Sequence, residues 1–177
     1  PEWSTLEAGV LQRSRALNAF LADVYTDAEI VAAGKIPGKL VFDNPAYEPR
    51  LRGHLPIGGV FSHIVGVDLV RVAEDEFFVL EDNCRTPSGV SYMLENRETM
   101  MAMFPDLFSR VPVEQVSNYP RRLARSLAAC APPACSGKPT VAVLTPGVYN
   151  SAYFEHAFLA DQMGAELVEG SDLRVVD

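Results

Sequence analysis

Residues 77–91 read FFVLEDNCRTPSGVS. Phe77, Phe78, Val79 and Leu80 carry the aromatic and branched side chains that suit a pleated, half-buried surface. They run directly into Glu81, Asp82 and Asn83, three oxygen-bearing side chains in a row. A buried strand does not carry such a run without something to match it. The match is to be sought upstream, where GVFSHIVGVDLVRV (59–72) is also extended in pattern and leads through the acidic turn AEDE (73–76) into the second run. Two β-rich runs around a short turn predict a hairpin.

Pairing Ala73 with Glu76 sets the register. Val72 then faces Phe77, Val70 faces Val79 and Asp68 faces Glu81, and a side-chain period of two puts Asn83 on the same face, opposite Gly66. Leu69, Leu80, Val67 and Phe78 fall on the other face, so both faces are largely apolar and the strands are expected inside a sheet. Two carboxylates directly opposed, with Cβ atoms about 5 Å apart, repel each other. A divalent cation held by Asp68, Glu81 and the amide oxygen of Asn83 offsets that repulsion. All-oxygen ligation, with room for phosphate oxygens beside Gly66, suits magnesium. Two other arrangements satisfy the same pattern: a solvated hairpin end, or an ion pair in which Arg71, Arg85 or Arg97 folds over the acids. A single bulge would turn Asp68 to the wrong face.

Composition bounds the setting. The 177 residues suffice for one sizeable core, or for one domain and part of a second, and the 48% apolar content excludes disorder. No apolar run approaches the roughly 20 residues that cross a bilayer, and no signal segment opens the chain, so a soluble, cytoplasmic protein is expected. A net charge of −8 opposes nucleic acid and anionic membrane as partners, since both are held by excess Lys and Arg. Lysine occurs only as Lys35, Lys39 and Lys138. Cys84, Cys130 and Cys135 are odd in number and lack a second matching pair, which predicts reduced thiols. Pro1 is not an initiator Met and LRVVD (173–177) resembles a strand cut before its turn, so an excised portion of a longer protein is expected.

STLE (4–7) fits a capping box, and Leu6, Val10, Leu17, Phe20, Leu21 and Val24 follow at helical spacing. TDAE (26–29) repeats the capping signal for a short second helix ended by Gly34 and Pro37. Residues 39–58 read as loop. SGVSYMLENRETMMAMF (88–104) is helical by propensity and stops before Pro105; 118–130 forms a further helix with Pro120 in its first turn. APPACSGKP (131–139) reads as a linker, and TVAVLTPGVYNSAYFEHAFLADQMGAELVEG (140–170) as a βαβ unit.

Asp68, then Glu81-Asp82-Asn83, then RTPSGVSYMLE (85–95) resembles the metal-binding segment of the ATP-grasp ligases, in which an acid on one strand and Glu-x-Asn on the next hold magnesium. Thr86-Pro87 and Glu95 are similar to their counterparts in glutathionylspermidine synthetase, of the circularly permuted branch. Over nearly the whole length, through VLEDNCRTPSGVSYMLENR (79–97) and LTPGVYNSAYFEHAFLA (144–160), the chain most closely resembles the uncharacterised circularly permuted ATP-grasp proteins. The resemblance implies an α+β fold: an ATP-grasp-like metal-bearing lobe with antiparallel strands and flanking helices over 1–136, then the start of a Rossmann-like βαβ domain over 137–177.

It also implies that Asp68, Glu81 and Asn83 bind Mg2+ and bridge it to ATP. The chemistry implied is phosphorylation of a carboxylate and attack by an amine on the acyl phosphate, with small-molecule or peptide carboxylates and amines as substrates. The nucleotide-clamping lysines are expected in a missing C-terminal part of the same protein, which leaves this portion inactive alone. Two positions depart from glutathionylspermidine synthetase: Gly66 stands where an arginine precedes the metal-binding acid, and Arg85 replaces an Asp, with an anion-binding catalytic role as the expectation for Arg85. A non-catalytic binding or scaffold module of the same shape and a hydrolase using the same carboxylates are the rival readings.

Other motifs carry less. SGKP (136–139) lacks the spacing of a phosphate loop. The loop TPGVYNS (145–151) precedes a helix whose free amides suit an anion, or is a plain strand-to-helix turn. His54, His63 and His156 share no ligand spacing, and Tyr149, Tyr153 and Phe154 are expected in core packing.

Overall fold

In the computed structural model, which describes residues 2–176, the helix α1 spans Glu2–Tyr25. It already runs through Ser4, so the Ser4–Glu7 pair does not mark its start. Its C-terminal end supplies the core of the first of two units, Pro1–Pro87. Val24 and Tyr25 are buried there with Val41, and Phe20, Leu21, Ile30, Val31, Ile36, Tyr47 and Phe61 pack around them. The Tyr25 ring stacks on Tyr47 (centroids 5.0 Å apart, planes 7° apart) and on Phe61 (5.4 Å, 10°). Its hydroxyl accepts the Glu48 amide at 3.1 Å, so this buried polar atom is satisfied.

Helix α2 (Glu29–Ala32) forms as expected, but TDAE does not cap it. Ala28, in the left-handed region at φ 54°, occupies the cap position, and the carboxylate of Asp23 accepts the free amides of Glu29 and Ile30 at 2.8 and 3.0 Å. Thr26 instead donates to the Ala22 carbonyl at 2.8 Å. The cap thus comes from the last turn of α1, which ties the two helices together. Residues 39–58 are not all loop: α3 (Gly38–Phe42) delivers Val41 to the core, and short 3-10 turns lie at Pro49–Leu51 and Ile57–Gly59.

The hairpin is present, with β1 (Gly66–Ala73) antiparallel to β2 (Glu76–Asn83). Asp75, at φ 59°, turns the chain between them. Ala73 pairs with Glu76, and Asp68 with Glu81, as the sequence predicts. Between these pairs the expected register fails. Arg71 pairs with Phe77, Val70 with Phe78 and Leu69 with Val79, because Val72 is an extra residue on β1 and Leu80 an extra residue on β2. The two irregularities cancel before the acids are reached. Nor do the strands lie inside a larger sheet among the described residues: they form a two-stranded sheet in which Phe78 is 57% and Leu80 72% exposed.

The second unit, Ser88–Asp177, opens with α4 (Val90–Met103), which stops ahead of Pro105 as predicted. Pro105 cannot continue the ladder but starts α5 (Pro105–Arg110), a helix the sequence reading did not foresee. Helix α6 (Tyr119–Ala128) has Pro120 in its first turn. The βαβ unit follows: β3 (Ala142–Leu144), α7 (Tyr153–Met163) ended by Gly164 at φ 65°, and β4 (Glu166–Val168) parallel to β3. Leu94, Leu123 and Ala160 are buried. Residues 173–176 form no strand, contrary to the reading of LRVVD, and Asp177 lies outside the described residues. Phe154 stacks on Tyr92 at 5.0 Å but is 42% exposed, and Tyr149 is fully exposed, so neither packs in the core as expected. No helix among the described residues is long and apolar enough to cross a membrane.

Candidate metal centre

Asp68 and Glu81 are register partners at the open end of the hairpin, and Gly66 is the partner of Asn83 two residues further on. The carboxyl of Asp68 is held above the ordinary aspartate range, first by a hydrogen bond with Glu81, then by partial desolvation and the Glu81 charge. The amide nitrogen of Asn83 donates to Glu81 Oε1 at 3.1 Å, so in this state its nitrogen, not its oxygen, faces the acids. A half-turn of the amide exchanges the two without changing its shape. Gly66, where the sequence suggests room for phosphate oxygens, is instead closely approached: a Cβ at position 66 would stand 3.2 Å from Pro87 Cβ and 3.4 Å from Asn83 Cβ.

Of the arginines that offered an alternative ion pair over the acids, Arg71 and Arg97 are engaged elsewhere. Arg71 pairs with Glu2 and lies over the Phe77 ring at 4.6 Å. Arg97 donates to the Glu114 carbonyl at 2.7 Å. Arg85 is exposed, two residues past Asn83. Among the described residues the side-chain ion pairs are Arg13–Asp82, Arg50–Glu48 and Arg71–Glu2, none of which involves Asp68 or Glu81. No group of three His, Cys, Asp or Glu converges among them either. Two carboxylates and, with its amide turned, the Asn83 oxygen would make an all-oxygen set, of the kind that fits a hard divalent cation keeping part of its water shell.

Asp82, the middle residue of the run, behaves differently from its neighbours. Arg13 of α1 clasps it: Nε donates to Oδ1 at 2.7 Å and to Oδ2 at 2.9 Å, and Nη2 donates to Oδ2 at 2.6 Å. That hydrogen-bonded pairing holds the Asp82 carboxyl below its ordinary range. Nearby, Asn18 Oδ1 accepts the amides of Phe61 and Ser62 at 2.8 and 2.9 Å, and Ser62 Oγ donates to the Cys84 carbonyl at 2.8 Å. Sequence reasoning missed Arg13 and Asn18. The signal for Arg13 was a gap in the apolar stripe of α1, where Arg13 and Ser14 stand between Val10 and Leu17.

The two aspartates respond to pH with opposite signs. A carboxyl whose folded pKa is lowered, Asp82, adds stability above its ordinary range and loses it as pH falls. One whose folded pKa is raised, Asp68, adds stability only when protonated and withdraws it as pH rises through the folded value. Asp68→Asn is thus expected to raise the melting temperature in chelator near neutral pH, with the gain fading as pH falls through the carboxylate range. Thermal melts across that range check this; a loss of stability at every pH would mean that the ionised carboxylate is a favourable partner in the fold.

An uncharacterized protein of Synechocystis sp. is 51% identical over 176 residues, which cover 99% of this chain and 36% of the relative. One of Mycobacterium tuberculosis is 51% identical over 173 residues, 98% of this chain and 31% of the relative. A protein of Frankia casuarinae named "Putative glutamate–cysteine ligase 2-2" is 42% identical over 176 residues, 99% of this chain and 20% of the relative. The chain thus spans about a third of the length of the first two. The family described as circularly permuted ATP-grasp type 2 matches residues 1–177 from end to end. With the whole chain inside that match, the protein belongs to the circularly permuted ATP-grasp type 2 family.

Proposed function

We propose that this chain supplies the cation-holding acids of an ATP-dependent carboxylate–amine ligase. The observation that carries the reading is the register pairing of Asp68 with Glu81, with Asn83 beside them and no arginine among the described residues to neutralise the pair. Asp68, Glu81 and Asn83 would hold Mg2+, which supplies neutralisation of charge on transferring phosphate oxygens when bound. In the reaction a carboxylate oxygen attacks the γ-phosphorus of ATP and ADP leaves. An amine nitrogen then attacks the acyl carbon, phosphate leaves with the bonding pair, and the amine gives up a proton. Arg85, exposed at the exit of β2, is suited to an anionic oxygen of the substrate or leaving phosphate. The name of the Frankia relative supports an amino-acid carboxylate and an amino-acid amine as the substrate class.

The activity is that of the protein at the length of its relatives. None of the three lysines, Lys35, Lys39 and Lys138, lies on the hairpin, and the 177-residue chain is expected to bind ATP weakly and not to turn it over. Calorimetry showing micromolar ATP affinity for this chain would place the nucleotide site within it instead. The test of the function is ADP formation by the relative-length protein with Mg2+, supplied with candidate amino acids. Formation that requires both a carboxylate and an amine supports the ligase. Formation from ATP with water alone identifies a hydrolase, and cation-dependent nucleotide binding without turnover identifies a binding module.

A further inference from the structure

We infer that Arg13 is a positioning residue for the cation site, the brace that aims Glu81 and Asn83. This rests on the reading of Asp68, Glu81 and Asn83 as the cation donors. Successive side chains of a strand point to opposite faces, so Asp82 must point away from whatever Glu81 and Asn83 point toward. Its cross-strand partner, Val67, lies between the pairs Asp68–Glu81 and Gly66–Asn83. Whatever fixes Asp82 on the helix side therefore fixes its two neighbours on the other side.

The need for such a fixture is visible in the ladder. The extra residue Leu80 sits immediately before Glu81, and the register shifts between Asp68 and Leu69 on the facing strand. A slip of one residue at that irregularity would exchange the faces, presenting Asp82 where Glu81 and Asn83 now stand. Arg13 takes hold just beyond the irregularity, with three hydrogen bonds of 2.6–2.9 Å from one planar guanidinium to both oxygens of Asp82. The side chain of Asp82 is only 14% exposed. The bond from Ser62 Oγ to the Cys84 carbonyl, backed by Asn18, secures the strand on the other side of Asn83. Helix α1 thus grips the acidic run directly through Arg13 and, by way of Asn18 and Ser62, holds the chain just past it, without contributing a donor to the cation.

Charge makes the test discriminating. Arg13→Met removes a positive charge close to a cation site, so through-space electrostatics alone predicts tighter cation binding. Positioning predicts weaker binding. The probe is Mn2+, titrated into the 177-residue chain and followed by electron paramagnetic resonance, with circular dichroism confirming that each variant is folded. Arg13→Met is expected to weaken Mn2+ binding about 10- to 100-fold, the range found when a group orienting a metal ligand is lost. Arg13→Lys, which keeps the charge but cannot form the planar fork, is expected to fall between Met and the unchanged protein, and it serves alone should the Met variant not fold. Unchanged or tighter Mn2+ binding in a folded Arg13 variant would overturn the inference while leaving the cation site intact. Failure of the unchanged chain to bind Mn2+, or binding indifferent to Glu81→Gln and Asn83→Ala, would overturn the cation site itself and with it the role of Arg13.

Discussion

Glu81→Ala, in the protein at the length of its relatives, is expected to lower ADP formation roughly a thousandfold at saturating ATP and Mg2+. The size follows from what is removed. One of two carboxylates on a cation that offsets developing phosphate charge is worth several kcal/mol in the transition state, and each 1.4 kcal/mol or so is tenfold in rate. The distinguishing feature is the sign of the accompanying change in stability. In the metal-free protein Glu81 faces Asp68 and helps hold its carboxyl above the ordinary range, so its removal relieves a repulsion, and the variant should melt in chelator no lower than the parent. Raising Mg2+ should stabilise the parent but not the variant. A rate within tenfold of the parent, with folding intact, would remove Glu81 from the site.

The second large effect concerns the fold. Tyr25→Ala is expected to destabilise the chain by about 3–5 kcal/mol in urea denaturation, the usual cost of deleting a buried aromatic ring. Tyr25 is 7% exposed and stacks between Tyr47 and Phe61, so neighbouring rings on both sides lose contact at once. Tyr25→Phe separates packing from polarity. It keeps the stack and forfeits only the hydroxyl that accepts the Glu48 amide at 3.1 Å, at a cost of about 1 kcal/mol. An alanine variant less than 1 kcal/mol weaker than the parent would show that the stack contributes little.

The acid pair was legible in the sequence, though partly because two departures cancelled. Counting pairs outward from Ala73 and Glu76 reaches Asp68 opposite Glu81 only because the extra residue Val72 on one strand is matched by Leu80 on the other. Little in two runs so largely apolar marks where such irregularities fall, since Arg71 alone interrupts the apolar residues between the turn and Asp68. Helices with a strong proline stop or an apolar stripe, α1, α4 and α6, were likewise legible. Asp23 as the cap of α2 was not, because the ordinary signal of Thr26 to Glu29 stood beside it and was the stronger pattern. Arg13 and Asp82 are 69 positions apart; a bond of that span is written in the sequence only as an unexplained polar turn in an otherwise apolar stripe.

One consequence of the hairpin's exposure reaches beyond the site. Among the described residues neither strand has a second strand beside it, and Phe77 to Leu80 is a short, uncharged, proline-free stretch of high β-propensity. Such a stretch is a template on which another chain can add, the first step toward cross-β stacking. Glu76 stands at one end of it and Glu81 and Asp82 at the other, where charges act as gatekeepers against self-association. Glu81 would then carry two duties under the proposed function, and a substitution that neutralises it to test cation binding would also weaken the guard on this apolar segment.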